Sequence, residues 1–277
     1  MTFRHSPAPA FRAVVLFAVA SLYVSELSAH EGVHEQIARI DALISLSPAD
    51  ATLFLRRGEL ERVRRQWEEA ERDLAAAEAL DPSLVVLSLA RGRLELDRGN
   101  YSASLQLLTN YLRGEPKDSV ALVYRATVYR ALRQPAAAAS DYARAIELSA
   151  QPEPEWYRDL SAALAESAHP EAALAALDSG IARLGPVVTL ELPAIDLDLS
   201  MRNVDSALFR IDRLAAQSQR KEVWIVRRAD ILQAAGRGGE ARSAYSEALR
   251  NIQSLPSAQR NRKATVEMER RLQRLVR

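Results

Sequence analysis

The dipeptides Gln66-Trp67, Asn100-Tyr101, Gln134-Pro135, His169-Pro170, Asn203-Val204 and Arg237-Gly238 recur every 34 residues, with one interval of 35. Three residues after each comes a small residue: Ala70, Ser104, Ala138, Ala173, Ala207 and Ala241. Four residues further on comes a larger apolar one: Leu74, Leu108, Tyr142, Leu177, Ile211 and Tyr245. Three more bring Ala77, Tyr111, Ala145, Gly180, Leu214 and Ala248. Spacings of four and three place all three positions on one helical face. A period of this length marks a repeated supersecondary unit that buries its apolar face only by stacking on its neighbours.

A second helix is written upstream of each of these. Gly58, Gly92, Ala126, Ser161 and Ala229 lie twelve residues before the small column, where little or no side chain lets two backbones approach closely. Ile195 breaks the rule in the fifth repeat, which predicts a looser or differently angled pair there. Pro82, Pro116, Pro152, Pro154, Pro186 and Pro256 punctuate the exits, because proline cannot continue a helix. The bias towards Ala, Leu, Arg and Glu favours an all-α chain.

With these columns the chain resembles the tetratricopeptide repeat family. The stretch "ATLFLRRGELERVRRQWEEAERDLAAAEALDPSL" (Ala51–Leu84) matches its pattern at Gly58, Ala70, Leu74, Ala77 and Pro82, and the resemblance covers roughly residues 48–256. It implies an all-α, right-handed α-solenoid of about six helix pairs, with a concave groove lined by the first helix of each pair. Leu55, Glu59 and Arg62, then Leu89, Arg93 and Leu96, then Val123, Thr127 and Arg130 fall on that implied groove. Apolar positions beside charged ones suit an extended peptide or a partner's helix. The basic and amide pattern by which some members clamp a C-terminal carboxylate is absent, since Leu55 and Glu59 stand in its place.

Terminal repeats need polar outer faces. Residues 257–277 read as one polar capping helix with Val266, Met268, Leu272 and Leu275 turned inward. Residues 30–47 hold a second cap, in which Val33, Ile37, Ile40 and Ile44 form one stripe over residues 32–46. Arg57, Arg91, Arg125 and Arg228 share a column, and Asp73 and Asp141 follow the first and third by sixteen residues. The spacing predicts the pairs Arg57–Asp73 and Arg125–Asp141 across a helix pair, worth about 0.2–1 kcal/mol each if exposed.

Residues 1–29 have another character. Arg4 and Arg12 precede the apolar run "AVVLFAVASLYV" (Ala13–Val24), and a polar stretch leads to Ala29. This is the layout of a secretory signal peptide cut after Ala29. As a helix the run spans about 18 Å, short of the roughly 30 Å bilayer core. The expectation is a periplasmic or secreted protein with no stable membrane insertion after cleavage; the alternative is anchoring by the uncut segment. No cysteine is present for a disulfide or a lipid anchor. Losing Arg4, Arg12 and Glu26 leaves basic and acidic residues equal in number, interleaved throughout, so nucleic acid is not an expected partner.

The one catalytic spelling is "HEGVHEQI" (His30–Ile37), which contains H-E-x-x-H. A zinc protease needs a third ligand and strands to orient substrate, and no strand pattern exists. His169 falls in the turn column and reads as a solvated turn residue; His5 leaves with the signal segment. A milder metal reading uses the amine and imidazole of a mature N-terminal His30 with His34 to hold copper or zinc. Other catalytic constellations are missing. The sequence therefore predicts a non-enzymatic scaffold without a cofactor, holding a protein or peptide of the bacterial cell envelope. Metal handling by His30 and His34 stands as the alternative, and an H-E-x-x-H hydrolase as a third reading.

Overall fold

The six turn dipeptides mark a backbone device as well as a repeat. In a computed structural model, which describes residues 32–276, the residue just before each dipeptide has positive φ: Arg65, Gly99, Arg133, Ala168, Arg202 and Gly236. The next amide then reaches back to the carbonyl five residues earlier, as Gln66 does to Glu61 at 2.9 Å and Asn203 to Asp198 at 2.8 Å. A left-handed residue closing a helix in this way satisfies carbonyls that would otherwise have no partner. The second helix of each pair starts at once, and Pro135 and Pro170 sit at its first position, where a missing N–H is harmless.

Fifteen helices and no strand result among the described residues. Helix α1 (Val33–Leu46) precedes six pairs: α2 (Ala51–Val63) with α3 (Trp67–Leu80), α4 (Val86–Asp97) with α5 (Tyr101–Gly114), α6 (Ser119–Ala131) with α7 (Pro135–Leu148), α8 (Pro154–Glu166) with α9 (Pro170–Leu184), α10 (Val188–Ser200) with α11 (Val204–Gln217), and α12 (Lys221–Ala234) with α13 (Gly238–Gln253). Two short elements follow, α14 (Ser257–Arg260) and α15 (Lys263–Leu275). The chain forms two compact units, the first ending at Leu107 and the second beginning at Leu108, so the division falls inside α5. In the first unit α1 packs on α2, α2 on α3, and α4 on both α2 and α3. In the second, α6 to α13 pack each on the next in chain order, α8 also touches α10, and α15 packs on α13. The architecture is an all-α helical-repeat solenoid.

The columns supply the core. Every member of the small column is 0% exposed, and the larger apolar column is 4% or less throughout. Within the first unit Ala70, Leu74 and Ala77 of α3 share one cluster with Leu87, Ala90 and Leu94 of α4. In the second, Ala138 and Tyr142 of α7 share theirs with Leu160 and Ala163 of α8. Each repeat thus covers its apolar face with the next. A β-carbon on Gly58 would sit 3.1 Å from the Ala70 carbonyl oxygen, which explains the small residue there. Ile195 is as buried as the small residues that hold its place elsewhere, yet α10 and α11 meet less closely than the pairs α2 with α3, α6 with α7, α8 with α9 and α12 with α13, as its bulk predicts. The same repeat also carries Pro193 inside α10, and a set of buried charges described below.

The end of the chain differs from its expectation. Residues 257–277 do not make one helix, because the chain turns at Asn261 and Arg262 between α14 and α15. Arg260 of α14 folds back on Glu269, donating at 2.7 Å. Leu272 is fully buried and Met268 packs on the core, but Leu275 is exposed at 41%, and Thr265 and Glu269 are the other buried residues of α15. The inward face therefore follows Thr265, Glu269 and Leu272, a stripe that passes Leu275 by. At the other end Ile37 and Ile40 are buried. The expected signal segment and His30 lie outside the described residues.

Candidate interaction face

The first helices place the predicted groove residues in two sets, one in each compact unit. In the first unit Leu55, Glu59 and Arg62 lie on α2, and Leu89, Arg93 and Leu96 on α4. Leu89 is 7% exposed and belongs to the core; the other five are partly buried. Their charges are joined to one another. Arg62 Nε donates to Glu59 at 3.0 Å and its Nη1 bonds Asp97 at the end of α4. Arg93 Nη1 lies 3.5 Å from the same Glu59. Burial works against the Arg62 cation, but Glu59 and Asp97 more than offset it, and its pKa is raised.

In the second unit Val123, Thr127 and Arg130 lie on α6. Thr127 is exposed; its hydroxyl donates to the Val123 carbonyl at 2.9 Å and lies 3.1 Å from the Tyr142 hydroxyl. Arg130 Nη2 donates to Glu166 of α8 at 2.6 Å, and its guanidinium comes to 4.0 Å from Asp159. The bond to Glu166 is the main reason that its pKa is raised. Further along, Arg227 of α12 donates to Asp196 of α10 at 3.0 Å. Asp230 accepts from the Tyr245 hydroxyl at 2.7 Å and from Arg271 of α15 at 2.5 Å.

No single-helix spacing shows these bridges between successive first helices, which join neighbouring repeats. Asp97 follows Arg62 by 35 residues and Glu166 follows Arg130 by 36, the extra residue matching the one longer interval. The predicted pairs inside a repeat form and are deeper than surface pairs. Arg57 grips both oxygens of Asp73 at 2.8 and 2.6 Å, and Arg125 those of Asp141 at 2.7 and 2.8 Å. Both aspartates are 7% exposed. Arg57 also reaches back to Asp41 of α1 at 2.6 Å, tying that helix to the first repeat. Arg91 and Arg228 have no acid sixteen residues ahead and turn backwards, to Glu71 and Glu78, and to Asp212.

The largest set missed from sequence lies inside the fifth repeat. Arg210 of α11 is nearly buried; its Nε donates to Asp198 at 2.7 Å and its Nη2 pairs with Asp178 of α9 at 2.7 Å. Glu191, 0% exposed, is 3.6 Å from Arg210 Nη1 and pairs with Arg213, although neither of its oxygens is aligned for a hydrogen bond. The Ser206 hydroxyl donates to Asp198 at 2.9 Å. Burial opposes the Arg210 charge, and the bonds to Asp198 and Asp178 overcome that opposition, so its pKa is raised. The repeat register held the signal. Glu191 stands in line with Tyr157 and Ile225, Asp198 with Leu164 and Leu232, and Arg210 with Ala176 and Ala244.

His34 is exposed in the first turn of α1 and His169 is exposed at the start of α9. Among the described residues no group of three or more His, Cys, Asp or Glu is placed to hold a metal ion, and no helix is long and apolar enough to cross a membrane.

No family model matches the sequence, and no curated protein matches it either. Solved structures do match. YrrB, described as a TPR protein with an unusual peptide-binding site, is 20% identical with a TM-score of 0.51, over 62% of this chain and 89% of that one. A tetratricopeptide repeat protein from Parabacteroides merdae is 16% identical with a TM-score of 0.53, over 94% and 98%. PilF of Pseudomonas aeruginosa is 13% identical with a TM-score of 0.55, over 81% and 97%. Six copies of one buried column, laid out as consecutive helix pairs, and these likenesses agree: the chain has the tetratricopeptide-repeat fold.

Proposed function

We infer that the protein is a non-enzymatic interaction scaffold that holds a protein or peptide against the first helices of its repeats. The observation that carries this reading is the row of side chains those helices leave outside the core, with its charged members locked by bridges between successive helices. A surface ordered before its partner arrives loses less entropy on binding. YrrB, which shares the fold, is described as having a peptide-binding site, which supports the same use here. The leader-like layout of residues 1–29 supports an exported protein and a partner from the bacterial cell envelope.

A photo-crosslinking residue placed at Leu96 or Thr127 on first helices, and at Arg144 or Glu147 on α7, tests the reading. One discrete adduct is expected from the first two positions and none from the last two. Adducts from α7 alone would overturn it. Fractionation of the same cells should recover the protein, shortened at its N-terminus, in the envelope fraction.

A further inference from the structure

The first-helix face of the second unit opens, between α10, α11 and α12, into a hollow of about 450 Å³. Leu199 of α10, Val204 at the start of α11, Ile231 and Ala234 at the end of α12, and Ala235 just beyond it form its walls. Arg227 and Asp230 stand at its rim. The size is within the roughly 300–1,000 Å³ of ligand sites, but such sites enclose most of a small molecule. This one is open on one side, which suits side chains projecting from a polypeptide.

The rim decides which polypeptide fits. Arg227 is engaged with Asp196, and Asp230 accepts from both Tyr245 and Arg271. An entering carboxylate would have to take Arg227 from Asp196, and an entering ammonium would have to take Asp230 from two donors. Either exchange swaps one pair for another at a solvated rim and gains little. Apolar side chains meet no such competition, since the walls offer only aliphatic surface to be removed from water.

We propose that this hollow is a subsite for apolar side chains on an uncharged stretch of the partner polypeptide. The proposal rests on the scaffold reading above and adds the chemistry of what is held. It also separates this face from that of α2 and α4, where Glu59, Arg62, Arg93 and Asp97 form a continuous charged patch.

The test uses the full chain and a blocked, uncharged peptide of alternating leucine and serine as the probe, read by methyl chemical shifts. Saturable shifts are expected at Leu199, Val204 and Ile231, with an affinity that changes less than about twofold between about 50 and about 500 mM salt. Ala234 is exposed, so Ala234→Arg and Ala234→Trp are tolerated by the helix while charging or plugging the hollow. Each should weaken the probe about tenfold or more. Tighter binding of the same peptide with lysine or glutamate for serine would overturn the proposal, as would unchanged affinity in both variants. Shifts at Leu55 or Val123 with none at the three hollow methyls would overturn this proposal and leave the scaffold reading standing. Shifts confined to second-helix methyls would overturn both. The salt series on the unaltered chain decides the matter even if a variant misfolds.

Discussion

Arg210 faces three carboxylates, two of which, Glu191 and Asp198, have no exposure to water. A buried ion group is costly to desolvate, so its removal piecemeal is far worse than its removal whole. Arg210→Met leaves two buried acids with one partially exposed arginine, Arg213, and should lower stability by about 3–5 kcal/mol in urea unfolding. Adding Glu191→Leu and Asp198→Leu to that variant should restore all of the loss. A triple variant no more stable than Arg210→Met would show that the charges do more than neutralise one another. Two tyrosines supply a different test. Burial, aided by hydrogen bonds to Asp118 and Asp230, pushes the Tyr111 and Tyr245 hydroxyls up to about 12. Their protonated forms are favoured by folding, so this contribution is complete below pH about 10 and fades as pH rises towards 12. Burial raises the Tyr142 hydroxyl as well, so phenolate absorbance should show these three tyrosines titrating late, and Tyr245→Phe should flatten the alkaline loss of stability.

At the scale of the element, the six turns inside the repeats share one backbone conformation but not one residue. Only Gly99 and Gly236 carry it without a side chain; Arg65, Arg133, Ala168 and Arg202 hold positive φ of 58–63°. The left-handed region costs a side-chain-bearing residue about 1–2 kcal/mol, part of which glycine gives back in chain entropy. Ala168→Gly or Arg202→Gly should therefore raise stability by about 0.5–1 kcal/mol, and Gly99→Ala should lower it by a similar amount. Thermal melts that move in the other direction would refute the account. The helix pairs were legible in the sequence because each column obeys a fixed spacing and is buried without exception. The left-handed residues were not, since Arg and Ala carry no turn signal of their own. Leu275 was misplaced for a related reason: apolar spacing alone could not see that Thr265 and Glu269 share the buried face with Leu272. Of the candidate face, the residues were legible while their mutual pairing was not. That pairing links neighbouring repeats at an offset of 35 or 36, outside the reach of any single-helix pattern.

Within each compact unit, stacking in chain order means that each repeat is stabilised by its neighbours and by little else. Damage should then stay local. Arg210→Met is expected to speed amide hydrogen exchange in α10 and α11, and to a smaller degree in the adjoining α9 and α12. Residues 33–97 belong to the other compact unit and should exchange at their original rate. Acceleration across both units alike would mean that the chain opens as one cooperative body. The same local logic makes the aliphatic hollow and the charged patch of α2 and α4 separable by mutation, one weakening apolar contacts and the other salt-sensitive ones.

The contact from Arg210 to Asp178 ties the fifth repeat to one particular predecessor, because Asp178 sits on α9 of the fourth. Moved elsewhere in the array, that repeat would keep its inward-facing charges and leave one counter-ion behind. Such a module is not interchangeable. Shuffling, duplication or deletion of repeats should be accepted at other joints before this one, and the order of bricks here has become part of the protein's identity.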